Sequence, residues 1–374
     1  MFKLQLLQDV YKLYKQRKFD KKWTAYKNSI CNGVDEKRLV VYNTILDNTM
    51  RNIPDNELHE QPKALNKLLA IFSDTTTSFL AKNDNMFIIT KLVLDKLFHW
   101  NLVGMQPLSG PVGLVYSLQS RLLNQTDEQD KKISIEIVSQ AMTAISQKLS
   151  ATWSVEAEKD LKALHDIDTK QELTAAMASE IALELNNILM NELYEIAVDE
   201  EVNIAQDVFA SAEKITSVIL HINMAANEIA RATRRGAGNF AVIDPSMLAY
   251  LQAHNSKVSN HVLFLFDDIK LGDGLVHVGY VGGTIKLYAT SGFTVESQPN
   301  NNVVLVGYKG AAGETDTGYI YSPYILTISS GIVINPNTFA PCTLLTTRYG
   351  KVITGKEQSA GKNYYRKVTF SNLI

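Results

Sequence analysis

Three groups of residues in this 374-residue chain are of types that could do chemistry. Arg231, Arg234 and Arg235 stand directly before Gly236-Ala237-Gly238, a combination suited to holding phosphate. A phosphate-binding glycine loop follows a strand and opens a helix, because the helix N-terminus supplies free N–H groups and the positive end of the dipole. Here the order is reversed. Ile215, Ile219, Ile222, Ala226, Ile229 and Ala230 recur at helical spacing ahead of the glycines. The expected role of Gly236 is therefore a helix C-terminus and a tight turn into the strand NFAVID. The arginines are left for ion pairs with neighbouring chains.

The second group, Gly355 to Lys362 (GKEQSAGK), is one residue too long for a P-loop, and Asn363 stands where a metal-binding hydroxyl is needed. Strands are expected on both sides, so it reads as a surface loop. The third group is the titratable residues. His59, His99, His165, His221, His254, His261 and His277 are scattered, and none pairs with another His or Cys at zinc-ligand spacing. Cys31 and Cys342 carry no nucleophile motif, and two cysteines cannot staple a fold of this size. No Gly-x-Ser-x-Gly elbow is present. Asp267-Asp268 and Glu156, Glu158 and Asp160 read as solvated or capping carboxylates. No catalytic, metal or cofactor site is expected.

The elements that position these groups follow from periodicity. The first thirty residues are basic, with Leu4, Leu7, Val10 and Tyr11 at helical spacing among eight cations and two acids, Asp9 and Asp20. Such an arm can be a solvated helix, dock on an acidic surface of its own assembly, or touch DNA. After the apolar run FIITKLVLDKLFHW, Pro107, Gly110, Pro111 and Gly113 end any helix. VGLVYSLQSRLL then alternates as a strand does. A second extended candidate, QKLSATWSVE, returns more than twenty residues later, too far for an ordinary hairpin, so the pair is expected to form a long projecting loop.

A short helix is expected from about Val155 to His165. A long one follows from Asp168, its N-cap, towards Ala197, with an apolar stripe opposite Glu172, Glu180, Glu184 and Glu195. About thirty residues at ~1.5 Å each makes a beam of roughly 45 Å. Between Glu156 and Glu201 only Lys159, Lys162 and Lys170 are positive. After the helix that ends near Thr233, Pro245 opens another at its first turn. Seven β-like segments from HVLFLFDDI to YYRKVTFSNLI complete the chain. Helices first and strands later indicate an α+β protein. Apolar residues make up 45% of the chain, enough for a large core, and a formal charge of -2 excludes a globally basic nucleic-acid binder. No apolar run reaches a membrane span, and no secretory signal is visible.

MQPLSGPVGLVYSLQSRL, WSVEAEKDLKALHDIDTKQEL, ANEIARATRRGAGNF, VGYKG with GYIYSPYILT, and NPNTFAPCTLLTTRYG stand in this order between Met86 and Ile374. This set resembles the major capsid proteins of T-even-type, myovirus-like tailed bacteriophages. The resemblance implies an HK97-like fold. Its parts would be an N-terminal arm over 1–85, a segment leading into the peripheral domain over 86–109, and an E-loop over 110–153. The peripheral domain with its spine helix would span 154–207, the axial domain 208–320, and the return to the peripheral domain 321–374.

It implies assembly instead of turnover: hexameric capsomers in an icosahedral or prolate head shell around packaged double-stranded DNA. Further implied partners are vertex or portal proteins and a scaffold, with no membrane. The implied location is the virion, after synthesis in the host cytoplasm. Arg121, Trp153, Glu156, Glu158, Arg231, Arg234 and Arg235 are the candidate intersubunit contacts. The 124–144 stretch of the E-loop would order only on assembly. Relatives lose a propeptide after a glutamate; Glu57 and Glu60 are the positions where this could fall, though retention from Met1 is expected. Within the same fold, a pentameric vertex protein and an encapsulin-type compartment shell are the alternatives. A soluble enzyme with a phosphate ligand is the reading from another class.

Overall fold

The computed structural model describes residues 20–52, 87–123, 132–152, 169–203, 211–253, 262–265, 275–290, 302–310, 313–334, 340–354 and 359–371. They belong to two compact units: one drawn from Met1–Asp95, Ile145–Ser179 and Pro323–Tyr349, the other from Lys96–Ala144, Glu180–Ser322 and Gly350–Ile374.

In the first unit, α1 covers 20–30 and α2 spans Glu36–Arg51. Helix α2 starts on Glu36 and ends on Arg51, the charges that suit the two ends of its dipole. It buries Val41, Tyr42, Ile45, Leu46 and Asn48, one face at helical spacing. Asn48 donates to Tyr324 O at 2.9 Å. Trp23 of α1 packs on Phe87, whose helix α3 covers 87–96. Asp47 accepts from Trp23 Nε1 at 2.7 Å and from Lys27 Nζ at 2.8 Å. The later part of the expected basic arm is thus packed, because Trp23 is buried and Lys27 is paired. Residues 1–19, where most of its charge lies, fall outside the described residues, as do Glu57 and Glu60.

The strands are β1 Gly104–Met105, β2 Val112–Leu123, β3 Lys132–Thr143, β4 Ile145–Thr152, β5 Val198–Asn203, β6 Phe240–Ile243, β7 Val262–Phe264, β8 Leu275–Val281, β9 Ile285–Thr290, β10 Asn302–Gly307, β11 Tyr319–Ile334, β12 Pro341–Ile353 and β13 Tyr365–Ser371. The further helices are α4 His99–Leu102, α5 Thr169–Ile196, α6 Ser211–Thr233, α7 Pro245–Ala253 and α8 Ser359–Lys362. This is an α+β chain, with the seven late strands where periodicity puts them. No helix among the described residues is long and apolar enough to cross a membrane.

The largest sheet has seven strands in the order β5-β13-β10-β6-β9-β8-β7. Parallel pairing at β13–β5 and β6–β9 mixes with antiparallel pairs elsewhere. One face carries a core that includes Ala241, Ile243, Val304, Val306, Val368 and Phe370, against Ile215, Val218, Ile222, Ala225 and Ile229 of α6 and Met247, Leu248 and Leu251 of α7. Each large apolar side chain buried there is worth roughly 1.5–3 kcal/mol. A four-stranded sheet runs β1-β11-β12-β4, and β2 and β3 form a two-stranded ribbon.

Three expectations are corrected or refined. The strand 112–123 does not pair with the segment at 147–156. Its partner is β3, over twelve residue pairs from Val112↔Thr143 to Leu123↔Lys132, while β4 pairs with β12. The alternation in KISIEIVSQ made β3, and eight residues suffice to connect it to β2. Residues 132–143 are strand, while 124–131 lie outside the described residues. The residue in the left-handed conformation after α6 is Arg234, with φ +54, and not Gly236. Finally, Ser359–Lys362 of the near P-loop form the helical turn α8, pinned where Gly361 N donates to Thr354 O at 2.9 Å. The proposed N-cap Asp168 and the helix at 155–165 fall outside the described residues.

Candidate functional site

The turn after α6 is built by side chains that close its backbone groups. Thr233 Oγ1 donates to Ile229 O at 2.7 Å and accepts from Arg235 N at 3.3 Å. Arg234 N reaches Ala230 O at 2.9 Å, the bond a left-handed residue makes after a helix. The glycines serve close approach. A Cβ on Gly236 would stand 2.6 Å from the Tyr308 ring, and one on Gly238 would stand 2.9 Å from Val306 Cγ1. The N–H groups of Arg234, Arg235 and Gly238 are thus spent on the fold, Gly238 N on Ala226 O at 3.0 Å, which argues against a phosphate cradle.

The three arginines separate here. Arg235 donates through Nη2 to Asp316 Oδ2 at 2.9 Å and through Nε to Oδ1 at 3.2 Å. Asp316 is almost wholly buried. The hydrogen-bonded carboxylate raises the pKa of Arg235 beyond its ordinary value. Burial does the same to the neighbouring phenols Tyr308 and Tyr364. Arg235 is thus committed to its own chain, whereas Arg231 and Arg234 are exposed and have no carboxylate partner among the described residues. Asp316, which holds Arg235, carried no sequence signal, since a lone aspartate in GETDTG looks like any loop acid.

The β2–β3 ribbon has two unlike faces. Val115, Ser117, Val138 and Met142 are buried. Leu108 lies against Gly113, and Met142 against Gly350. Gln106 clamps Tyr116, its Nε2 donating to Tyr116 O at 2.6 Å and its Oε1 accepting from Tyr116 N at 2.9 Å. On the other face Val112, Leu114, Tyr116 and Ile137 are exposed, Leu114 by 58% and Ile137 by 69%. Cross-strand pairs Leu114↔Ala141 and Leu118↔Ile137 hold these residues on one side. Arg121 lies on β2. Trp153, Glu156 and Glu158 fall outside the described residues.

Two further polar sites sit inside the second unit. His99 is buried with its Nδ1 unpartnered, its ring 4.3 Å from that of Tyr321. Burial lowers its pKa to about 3. Glu192 of α5 accepts from Tyr319 Oη and Lys351 Nζ, tying helix to strands. Among the described residues no three His, Cys, Asp or Glu side chains group as metal ligands would. The arrangement as a whole offers contact surfaces: a bare apolar ribbon face, two free arginines at a helix end, and exposed carboxylates at Glu180, Glu195 and Glu201.

Comparison with known proteins points the same way. The family described as "Major capsid protein Gp23" matches residues 122–370. The major capsid protein of Vibrio phage KVP40 is 28% identical over 293 residues, 68% of this chain and 55% of its own. That of Enterobacteria phage T4 is 28% identical over 273 residues, 66% of this chain and 50% of its own. The chain spans about half the length of these curated relatives. Among solved structures, the mature capsid of bacteriophage PhiM1 is similar with a TM-score of 0.48 and 9% identity, over 74% of this chain and 88% of that one. With two thirds of its length matched, the chain belongs to the Gp23 major capsid protein family.

Proposed function

We propose that this chain is the shell-forming subunit of a tailed-phage head. It self-assembles into hexameric capsomers that close as an icosahedral or prolate container for double-stranded DNA. The observation that carries this reading is the β2–β3 ribbon. Its inner face is finished by its own chain, while its outer face leaves Val112, Leu114, Tyr116 and Ile137 in water. A contiguous apolar surface on an ordered strand pair is what a protein–protein contact uses. In the HK97-like arrangement the family resemblance implies, this ribbon is the E-loop, α5 is the spine helix, and strands β6 to β10 of the seven-stranded sheet belong to the axial domain.

The mechanism is repeated association of identical subunits, with no bond made or broken and no cofactor. Heterologous contacts that close produce rings, and rings are what a capsomer needs. Vertex or portal proteins and a scaffold during assembly, and packaged DNA on the inner face, complete the set of partners. The protein is made in the host cytoplasm and ends in the virion. Arg121, Arg231 and Arg234 remain contact candidates, with Trp153, Glu156 and Glu158. Electron microscopy of the purified full chain tests the reading. Closed shells or six-membered rings are expected, and a protein that stays monomeric under all assembly conditions would overturn it.

A further inference from the structure

The seven-stranded sheet carries α6 on one face and turns Glu201 of its edge strand to the other. Register fixes this. In the parallel pair β13–β5, Val368 lies opposite Glu200, while Lys367 and Thr369 lie opposite Asp199 and Glu201. Side chains alternate along a strand, so Glu200 shares the face of Val368, which packs on α6, and Asp199 and Glu201 share the other. Ion pairs agree with this. Glu200 lies 3.6 Å from His221 of α6, Arg366 pairs with Glu228 of α6 at 3.2 Å, and Lys367 pairs with Asp199 at 2.8 Å.

On the α6 side, the surface of the helix turned away from the sheet is a stripe of Leu220, Met224 and Arg231, prolonged by Arg234. Leu220 is 55% and Met224 43% exposed. On the far side, Glu201 of β5 is exposed; Glu195, in the last turn of α5 just before that strand, is exposed as well, and neither has a cationic partner among the described residues. Arg234 also holds a left-handed φ of +54 that a glycine would adopt more easily. A side chain kept in a costly conformation at the surface points to use outside the fold.

Resting on the shell-subunit reading above, we propose that the Leu220–Met224–Arg231–Arg234 stripe of one copy docks on the acidic surface at Glu195 and Glu201 of the next copy. Because Glu201 faces away from the side of the sheet that carries α6, one chain cannot bring the stripe onto it, and the contact runs head to tail around a ring. Complementary charge sets the register, and the two apolar side chains supply buried area. A nucleic-acid site would have no use for Leu220 and Met224, which make up one half of the stripe.

The test uses the full-length chain and two charge-reversed variants, R231E/R234E and E195R/E201R, with assembly read by light scattering and electron microscopy. Each variant alone should lose capsomers, because like charges then meet at every contact. Mixed in equal amounts they should recover them, since a ring of alternating variants has opposite charges at every junction. A third variant, Arg231→Gln with Arg234→Gly, has no reversed charge and a relaxed turn, so it should keep the fold while still assembling less. Either reversed variant assembling as wild type does, or a mixture that stays unassembled, would overturn the contact. So would an arginine variant that assembles normally yet retains less DNA, which would assign the stripe to nucleic acid. Wild-type chain that never assembles would sink the shell reading itself, and this contact with it.

Discussion

The seven-stranded sheet and the β2–β3 ribbon are both made of alternating strands, yet they treat their alternation differently. In the sheet, β10 is buried at every position from Asn302 to Gly307, so both of its faces are covered. In the ribbon, Val115 and Ser117 are buried while Leu114 and Tyr116, their neighbours, are open. A strand that reads as a continuous apolar run is finished inside its own chain, whereas a strand with apolar residues on both alternating faces but cover on only one awaits a second surface. The contrast teaches how cover is distributed: the central strands of the sheet are enclosed by their own chain, and the ribbon keeps one apolar face open, the face proposed above for contact with other chains.

If that division is right, damage to the two regions should show in different measurements. Truncating Phe370→Ala in the sheet core should cost about 3–5 kcal/mol, visible as a lower denaturant midpoint. An unchanged midpoint would mean that this core is not the one that holds the chain. Removing the buried carboxylate with Asp316→Ala leaves the Arg235 guanidinium without its partner. A loss of about 2–3 kcal/mol is expected, the lower figure allowing for the partial exposure of Arg235.

His99 gives a pH-dependent test within the same unit. Its folded pKa of about 3 lies below its ordinary value, so the unfolded chain binds the extra proton in between. Its contribution is complete above about pH 6.5 and falls away as pH drops towards 3, at roughly 1 kcal/mol per pH unit. A His99→Gln variant should flatten that slope; if the slope is the same in both proteins, the acid sensitivity has another source. The smallest effect on stability belongs to the ribbon. Leu114→Ser with Ile137→Ser should change the midpoint by less than about 0.5 kcal/mol, because both side chains are already wet. The same pair should strongly reduce shell formation in electron micrographs. A large fall in stability with intact assembly would invert the comparison.

How much of this was legible beforehand depended on whether a signal was local. The helix from Ala212 to Thr233 and the strands after it could be read from apolar spacing, because burial of one face leaves its period in the sequence. The missing ribbon partner was also legible: Ile133, Ile135 and Ile137 alternate with Ser134 and Glu136, and only the surrounding charge hid the pattern. Leu220 and Met224 carried a weaker trace, as apolar residues set off the core stripe of their own helix. The arginine cluster could be found but not divided. Nothing in RRGAG tells that Arg235 turns to an aspartate 81 positions away while Arg231 and Arg234 stay free.

The sequence alone determined the elements, their order and the family, because periodicity, turn residues and phrase-level resemblance are written along the chain. Only the tertiary structure decided which strand pairs with which, which arginine is already spent, and that Glu200 and Glu201 look out from opposite sides of one sheet. The physical reason is distance. Register and ion pairing join residues tens to hundreds of positions apart, and their energies depend on geometry that no local pattern encodes.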